Sequence, residues 1–374
     1  MRRQNPSLTK PMQNRLLSLD VFRGLTVAAM ILVNNPGDWG HVYPPLLHAH
    51  WNGCTPTDLV FPFFLFIVGV SIAFAMGKNP PTVLKIARRS ATLFGLGLFL
   101  SLYPKFNFET VRIPGVLQRI AIVYFVCSLL YIKTTRKTQI GLLALVLLAY
   151  YVLMTFVPVP GVGYANLEPE TNLGAWVDRT ILGTNHLWKA AKVWDPEGIF
   201  STIPAVGTGL LGVLTGQWLR VDKPVAERIA WLFAAGNGLV VAGLIADLFF
   251  PINKSLWTSS YVLYAGGWAM VGLALCYWLI DVQGYRKWTT PVVAFGVNAI
   301  TVFFLSGIIP RTLALIKIDT PDGPISSQLW MQKNLIGVWF VNEYNASLAG
   351  ALTFLAIWFV ILYVMYKKGI IIKV

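Results

Sequence analysis

The chain has 374 residues, of which 56% are hydrophobic and 12% charged, where soluble domains average about 45–50% and about 25%. With a mean hydropathy of +0.62, it carries too little charge to cover so much apolar matter with a wettable surface, which excludes an ordinary soluble domain. A net charge of +14 would suit nucleic acid, but basic loops between apolar stretches fit the Lys and Arg excess of cytoplasmic loops better.

A membrane-crossing helix needs about 20 mostly apolar residues. Such stretches recur near 16–35, 57–77, 90–104, 114–132, 139–157, 199–219, 228–249, 259–280, 290–309 and 346–366. The expected fold is all-α: a polytopic transmembrane helix bundle of about ten helices. It forms a single domain over 1–374, with a tail at 1–15 and longer outer loops at 158–198 and 310–345. Most of the 30 Lys and Arg fall on the side of the N-terminus, among them Arg2, Arg3, Lys10, Arg15, Lys78, Lys85, Arg88, Arg89, Lys133, Arg220, Lys223, Arg286, Lys367 and Lys373. Most of the 16 acids fall opposite. Both termini are therefore expected in the cytoplasm. No short apolar core with a small-residue cleavage site follows the basic start, so the first span is expected to double as the targeting signal.

The loop at 158–198 is rich in turn formers and aromatics, with a surface helix expected around Trp176–Leu182. Pro321-Asp322-Gly323-Pro324 marks a turn in the second long loop. Gly212 and Gly216 are spaced for close helix contact. No internal repeat is visible, which weighs against a transporter built from duplicated halves. Cys54, Cys127 and Cys276 have no paired spacing, so neither a disulfide framework nor a zinc site is expected.

An ionisable group at the bilayer centre costs about 2.5–3.5 kcal/mol or more, so such groups face a cavity or each other. Asp20 and Arg23 share one helical face in Ser18-Leu-Asp20-Val-Phe-Arg23-Gly24. They make either a structural ion pair or a cationic entrance for an anionic ligand from the cytoplasm. The same span stops at Val33-Asn34-Asn35-Pro36-Gly37, and His41, His48 and His50 follow with Trp51-Asn52-Gly53. Thr55-Pro56-Thr57-Asp58 opens the next span, with Thr57 or Asp58 expected to cap it and Pro62 to bend it early. Imidazoles and amides thus stand between two helix ends, and histidine titrates in the range that suits proton transfer.

Three plainer readings compete with catalysis. One is a solvated histidine, as expected for His41; another is a metal pair at His48-Ala-His50, which no carboxylate or thiolate completes; the third is a loop that merely caps the bundle. Further on, Arg112-Ile-Pro-Gly-Val-Leu-Gln-Arg119 lies at the mouth of the fourth span, and Trp194-Asp195-Pro196-Glu197-Gly198-Ile199 opens the sixth. Helix-dipole capping explains Asp195 and Glu197, and so does an acidic pair holding a cationic or hydroxylated substrate. Asn253-Lys254-Ser-Leu-Trp257-Thr258 is a polar turn before the eighth span, and Asn298 an amide within the ninth.

In this order, several stretches together resemble the heparan-alpha-glucosaminide N-acetyltransferase family across nearly the whole chain. They are Ser18–Gly24, Val33-Asn34, His48-Ala-His-Trp-Asn-Gly53, Asp58-Leu-Val-Phe-Pro62, Arg112–Arg119, Asp195-Pro-Glu-Gly-Ile199 and Asn253–Tyr261. The resemblance implies an enzyme that uses cytoplasmic acetyl-CoA to acetylate the amine of a terminal glucosamine across the membrane. Its catalytic histidine falls on His48 and the assisting asparagine on Asn34; His50 holds a position that need not be histidine. Homodimerisation is compatible with the family, and nothing indicates a metal or nucleic-acid ligand. The lysosomal relative has an extra N-terminal luminal region and helix, so a bacterial inner-membrane form acting on a periplasmic or wall-derived amino sugar is expected.

The chemistry implied is general base catalysis by His48, or transient acetylation of it. Asn34 would donate to the thioester oxygen, a contribution of about 2.7–4 kcal/mol for a well-placed donor. Arg23, with Asp20 and Arg119, is expected at the coenzyme. Asp58, Trp51, Asn52, Asp195, Glu197, Asn253 and Lys254 are expected at the sugar. The rival reading is a transporter or flippase for an amino sugar or acylated carrier.

Overall fold

A computed structural model describes residues 16–77, 80–321 and 323–372. The expected tail at 1–15, the cations Lys78 and Lys373, and Asp322 of the expected turn lie outside the described residues.

The helices are α1 Leu17–Asn34, α2 Val60–Ala75, α3 Val83–Leu102, α4 Val116–Lys133, α5 Arg136–Phe156, α6 Leu173–Leu182 and α7 Ile199–Leu219. They continue as α8 Val225–Asp247, α9 Ser259–Cys276, α10 Thr289–Val297, α11 Ala299–Leu315, α12 Ser327–Met331 and α13 Glu343–Lys367. A short antiparallel hairpin, β1 Lys317–Ile318 and β2 Ile325–Ser326, precedes α12. Among the described residues, eight helices are long and apolar enough to cross a membrane, or nine if the bent pair α10 and α11 is one span. The end of the bundle where α1 begins and α13 finishes is called the near end below, and the opposite one the far end.

Two spans differ from expectation. The stretch at 90–104 is the second half of α3, which starts earlier because the Thr82 side chain caps the Lys85 amide. Lys85, Arg88 and Arg89 then fall in the opening turns of that helix. The stretch at 290–309 is broken, with α10 and α11 meeting at 75°. The Asn298 side chain occupies the break: Nδ2 donates to the Ile370 carbonyl at 3.1 Å, and Oδ1 accepts from the Ile372 amide at 2.9 Å. Helix α11 also runs through Pro310 to Leu315, since neighbours in a membrane bundle can satisfy the carbonyl that proline strands. Part of the expected loop at 310–345 is therefore helix and hairpin. The expected surface helix is α6, begun by Asn172 accepting from the Ala175 amide.

Helix α7 forms the middle of the bundle, with 72% of its span buried, whereas α5, α8 and α13 are each 22% buried and turn apolar side chains outward. Close packing of α2 on α7 comes from glycine. A Cβ on Gly212 would stand 2.1 Å from the Phe66 carbonyl oxygen, and one on Gly69 2.0 Å from that of Gly209. The two backbones touch, as small residues permit in a membrane. Gly212→Ala is accordingly expected to lower the thermal midpoint of the detergent-purified protein, because overpacking costs about 1–3 kcal/mol. An unshifted melting curve would show that α2 and α7 separate without penalty. At the near end, the start of α1 has no cap of its own, and Asp281 Oδ2 accepts from the Ser18 amide at 3.1 Å instead.

Candidate active site

The far-end loops are stitched to one another before they hold anything else. The Gly53 amide donates to the Ile252 carbonyl at 2.7 Å, and Gly53 bridges Asn253. Gly53 has φ +102° there, which glycine adopts without steric cost. Asn253 Nδ2 donates to Asn52 Oδ1 at 3.1 Å, while its own oxygen accepts from the Leu256 amide. Trp51 Nε1 donates to the Leu167 carbonyl at 3.0 Å, and its ring meets Trp194 edge-on at 5.0 Å. Trp51, Asn52 and Asn253 were expected at the sugar. Trp51 Nε1, Asn52 Oδ1 and Asn253 Nδ2 join loops, and Asn253 Oδ1 closes its own turn; Asn253 is wholly buried and Asn52 exposed.

These joins place His48 against Asp58. His48 Nδ1 lies 2.7 Å from Asp58 Oδ1. A carboxylate only accepts, so Nδ1–H donates and the lone pair resides on Nε2. The other carboxylate oxygen accepts from the amides of Ala49 and Thr55, each at 3.0 Å, and from Thr55 Oγ1 at 3.1 Å. This is a capping box at the start of the second span, in which Thr55, and not the expected Thr57 or Asp58, is the N-cap and Asp58 the residue that reaches back to it. Tyr261 adds a hydroxyl donated to the Asp58 carbonyl at 2.6 Å. Asp58, also expected at the sugar, is 1% exposed and sits behind the imidazole.

In front of the imidazole is a cavity of about 80 Å³ whose lining includes Asn34, His48, Glu197 and Lys254 among apolar side chains. Asn34 is the last residue of α1. Lys254 Nζ stands 3.4 Å from both nitrogens of His48. Burial pushes the Lys254 amine below its usual range, although the Glu197 and Asp58 carboxylates pull the other way. The turn that presents Lys254 is pinned by Trp257. That residue is fully buried, donates Nε1 to Thr208 Oγ1 at 3.1 Å, and takes φ +54°. A bulky residue holds such a backbone conformation only where its surroundings dictate it.

Asp195 and Glu197 share Arg112. The guanidinium donates to both Asp195 oxygens at 2.8 and 2.6 Å, and to Glu197 Oε2. Burial opposes its charge, but the two carboxylates more than offset this and raise its pKa. Asp195 is thereby consumed inside the fold, and Glu197 is the member of the pair that reaches the cavity. Arg119, expected at the coenzyme, is fully buried at the far end. It donates to Thr202 Oγ1 and the Gly198 carbonyl at 3.2 and 3.1 Å, and its guanidinium lies 4.9 Å over the Trp257 ring. Those partners tie α4 to α7.

A second cavity, of about 490 Å³, occupies the near end and is lined by Arg23, Ser71, Lys85 and Arg89 among others. Arg23 donates to Asp20 Oδ1 at 3.2 Å and to Ser71 Oγ at 2.9 Å. Asp20 is buried behind it. Lys85 and Arg89 belong to no recognisable motif, and their spacing of four puts both on one helical face. Phe64, Ile120 and Ile300 line both cavities. His41, expected to be merely solvated, bridges Asp38 and Glu343 at 2.7 and 2.6 Å and so ties its loop to α13. His50 is exposed. No group of three His, Cys, Asp or Glu that could hold a metal occurs among the described residues.

Fold and site together define a polytopic membrane protein in which a carboxylate-oriented imidazole faces a cavity that adjoins a cationic one from the opposite end. The chain belongs to the heparan-alpha-glucosaminide N-acetyltransferase family, whose catalytic model matches residues 15–245. It is 30% identical to heparan-alpha-glucosaminide N-acetyltransferase of Mus musculus over 99% of this chain, and 31% identical to that of Homo sapiens over 96%. It spans 62% and 60% of the length of those relatives.

Proposed function

We propose that the protein transfers an acetyl group from acetyl-CoA, bound in the near-end cavity, to the amine of a glucosamine-type sugar at the far end. The observation that carries this is the Asp58–His48 pair facing a cavity that meets a cationic one. The basic bias of the near-end segments supports a cytoplasmic near end; the membrane proposed is a bacterial inner membrane and the acceptor a periplasmic amino sugar.

In this reading Arg23, Lys85 and Arg89 meet the coenzyme's phosphates, and the thioester reaches toward His48. Glu197 attracts the sugar's ammonium. His48 Nε2 takes a proton from it, and the free amine attacks the thioester carbonyl. Asn34 and Lys254 face the same space and donate to the oxygen as it gains charge. Collapse breaks the C–S bond; the departing thiolate recovers the proton from the imidazolium, and the second proton that the nitrogen loses as the amide forms passes to His48 and on to water at the far end. In the relay version Nε2 itself attacks first and passes the acetyl group on.

Arg23→Ala is expected to raise the KM for acetyl-CoA about tenfold with kcat nearly unchanged, since a hydrogen bond to a charged group contributes about 1.5–3 kcal/mol. An unchanged KM would place the phosphates elsewhere. The function itself is tested by supplying detergent-purified protein with acetyl-CoA and glucosamine and reading N-acetylglucosamine by mass spectrometry. A folded protein that forms none, yet passes glucosamine through liposomes, would be a transporter.

A further inference from the structure

We propose that Phe64, Ile120 and Ile300 form a dry seal between the two cavities, parting to admit the acyl-thioester arm and otherwise barring water and protons. The admission of the arm rests on the acetyltransferase reading; the barrier does not.

Charged and titratable groups lie on each side of the seal. The near-end cavity presents Arg23, Lys85 and Arg89, and the far-end cavity presents His48, Glu197 and Lys254. The residues common to both are Phe64 of α2, Ile120 of α4 and Ile300 of α11. All three side chains are hydrocarbon. An apolar constriction between two wet spaces gates by dewetting. Without one, a chain of water through titratable groups at both ends would short-circuit the proton gradient of the membrane.

The three walls are not equally free to move. Phe64 belongs to α2, locked to α7 by the backbone contacts of Gly69 and Gly212. Ile120 follows Arg119, which is bonded to Ser201, Thr202 and the Gly198 carbonyl. Ile300 stands two residues beyond the 75° break. That break is strapped by the hydrogen bonds that Asn298 donates to the Ile370 carbonyl and accepts from the Ile372 amide, and Ile372 itself lines the near-end cavity. A ligand filling that cavity touches the strap on the pivot of Ile300, which makes Ile300 the moving leaf of the seal.

The test reconstitutes the full chain in liposomes that hold a pH-sensitive dye and follows the decay of an imposed pH step. A Phe64→Ala, Ile300→Ala double variant is expected to dissipate the step about tenfold faster than wild type, because the dewetted gap is gone. It is also expected to hydrolyse acetyl-CoA without acceptor. A wild-type decay rate in a variant that elutes as wild type from a sizing column would overturn the seal. Ile300→Phe adds bulk at the same place and is the control against unfolding. It should leave the membrane tight and acetyl-CoA binding intact while abolishing transfer, and retained transfer would equally overturn the proposal. If wild type makes no N-acetylglucosamine, the acetyltransferase reading fails, while the decay comparison still decides for or against the barrier.

Discussion

Replacing His48 by alanine is expected to lower kcat for acetyl transfer by about 10²–10⁴-fold, the usual contribution of a positioned base. Binding of acetyl-CoA should survive, because His48 lines the far-end cavity and the cations proposed to meet the coenzyme line the near-end one. Steady-state rates by mass spectrometry and coenzyme binding by calorimetry would be read on the same preparation. A variant that turns over like wild type would remove the imidazole from the chemistry. Radiolabel from acetyl-CoA separates the two routes open to His48. Label retained on wild type without acceptor, and absent from the variant, marks the relay; no label on either marks direct attack on the thioester.

Asp58→Asn is expected to reduce kcat by about 10²-fold or more, with the KM for acetyl-CoA little changed. The reason is tautomeric. The amides of Ala49 and Thr55 donate to one oxygen of Asp58, and His48 Nδ1 meets the other. An asparagine there keeps its carbonyl oxygen on the two amides and turns its NH2 toward the ring. Nδ1 must then accept, so Nε2 carries the proton and has no lone pair for the substrate. The capping bonds persist, so the loss should appear in the rate rather than in the melting temperature. A wild-type kcat would mean that Asp58 serves the helix cap alone.

Most span positions were legible because the hydrocarbon core demands long apolar runs, and such runs stand out in any sequence that contains them. The break at Asn298 was not. Residues on both sides of it are apolar, and the partners of its amide, Ile370 and Ile372, lie some seventy positions away. The early start of α3 was hidden in the same way, since its opening turns carry cations that hydropathy reads as loop. Close packing at Gly212 was legible because small residues at helical spacing have few other uses.

At the site, the residue types were readable and their orientations less so. Thr55-Pro56-Thr57-Asp58 announces a helix start, and the structure places a capping box there. That the same carboxylate also reaches back to His48 depends on the path of the loop, which no local pattern encodes. Asn52 and Asn253 read as ligand amides because polar residues at a helix end suit either a substrate or a neighbouring loop. The bond between Asn253 Nδ2 and Asn52 Oδ1 joins the two loops, and Asn52 itself is exposed. Arg119 was assigned by its charge, although its place in the first turn of α4 already put it at the opposite end from Arg23.

In the proposed reaction the acetyl group passes through the protein between substrates that never share a compartment. Liposomes containing the protein in one orientation would receive acetyl-CoA only on the near-end face and glucosamine only on the far-end face. N-acetylglucosamine should accumulate on the far-end side while free CoA accumulates on the other. Product that forms only when both substrates are placed on the same face would contradict it.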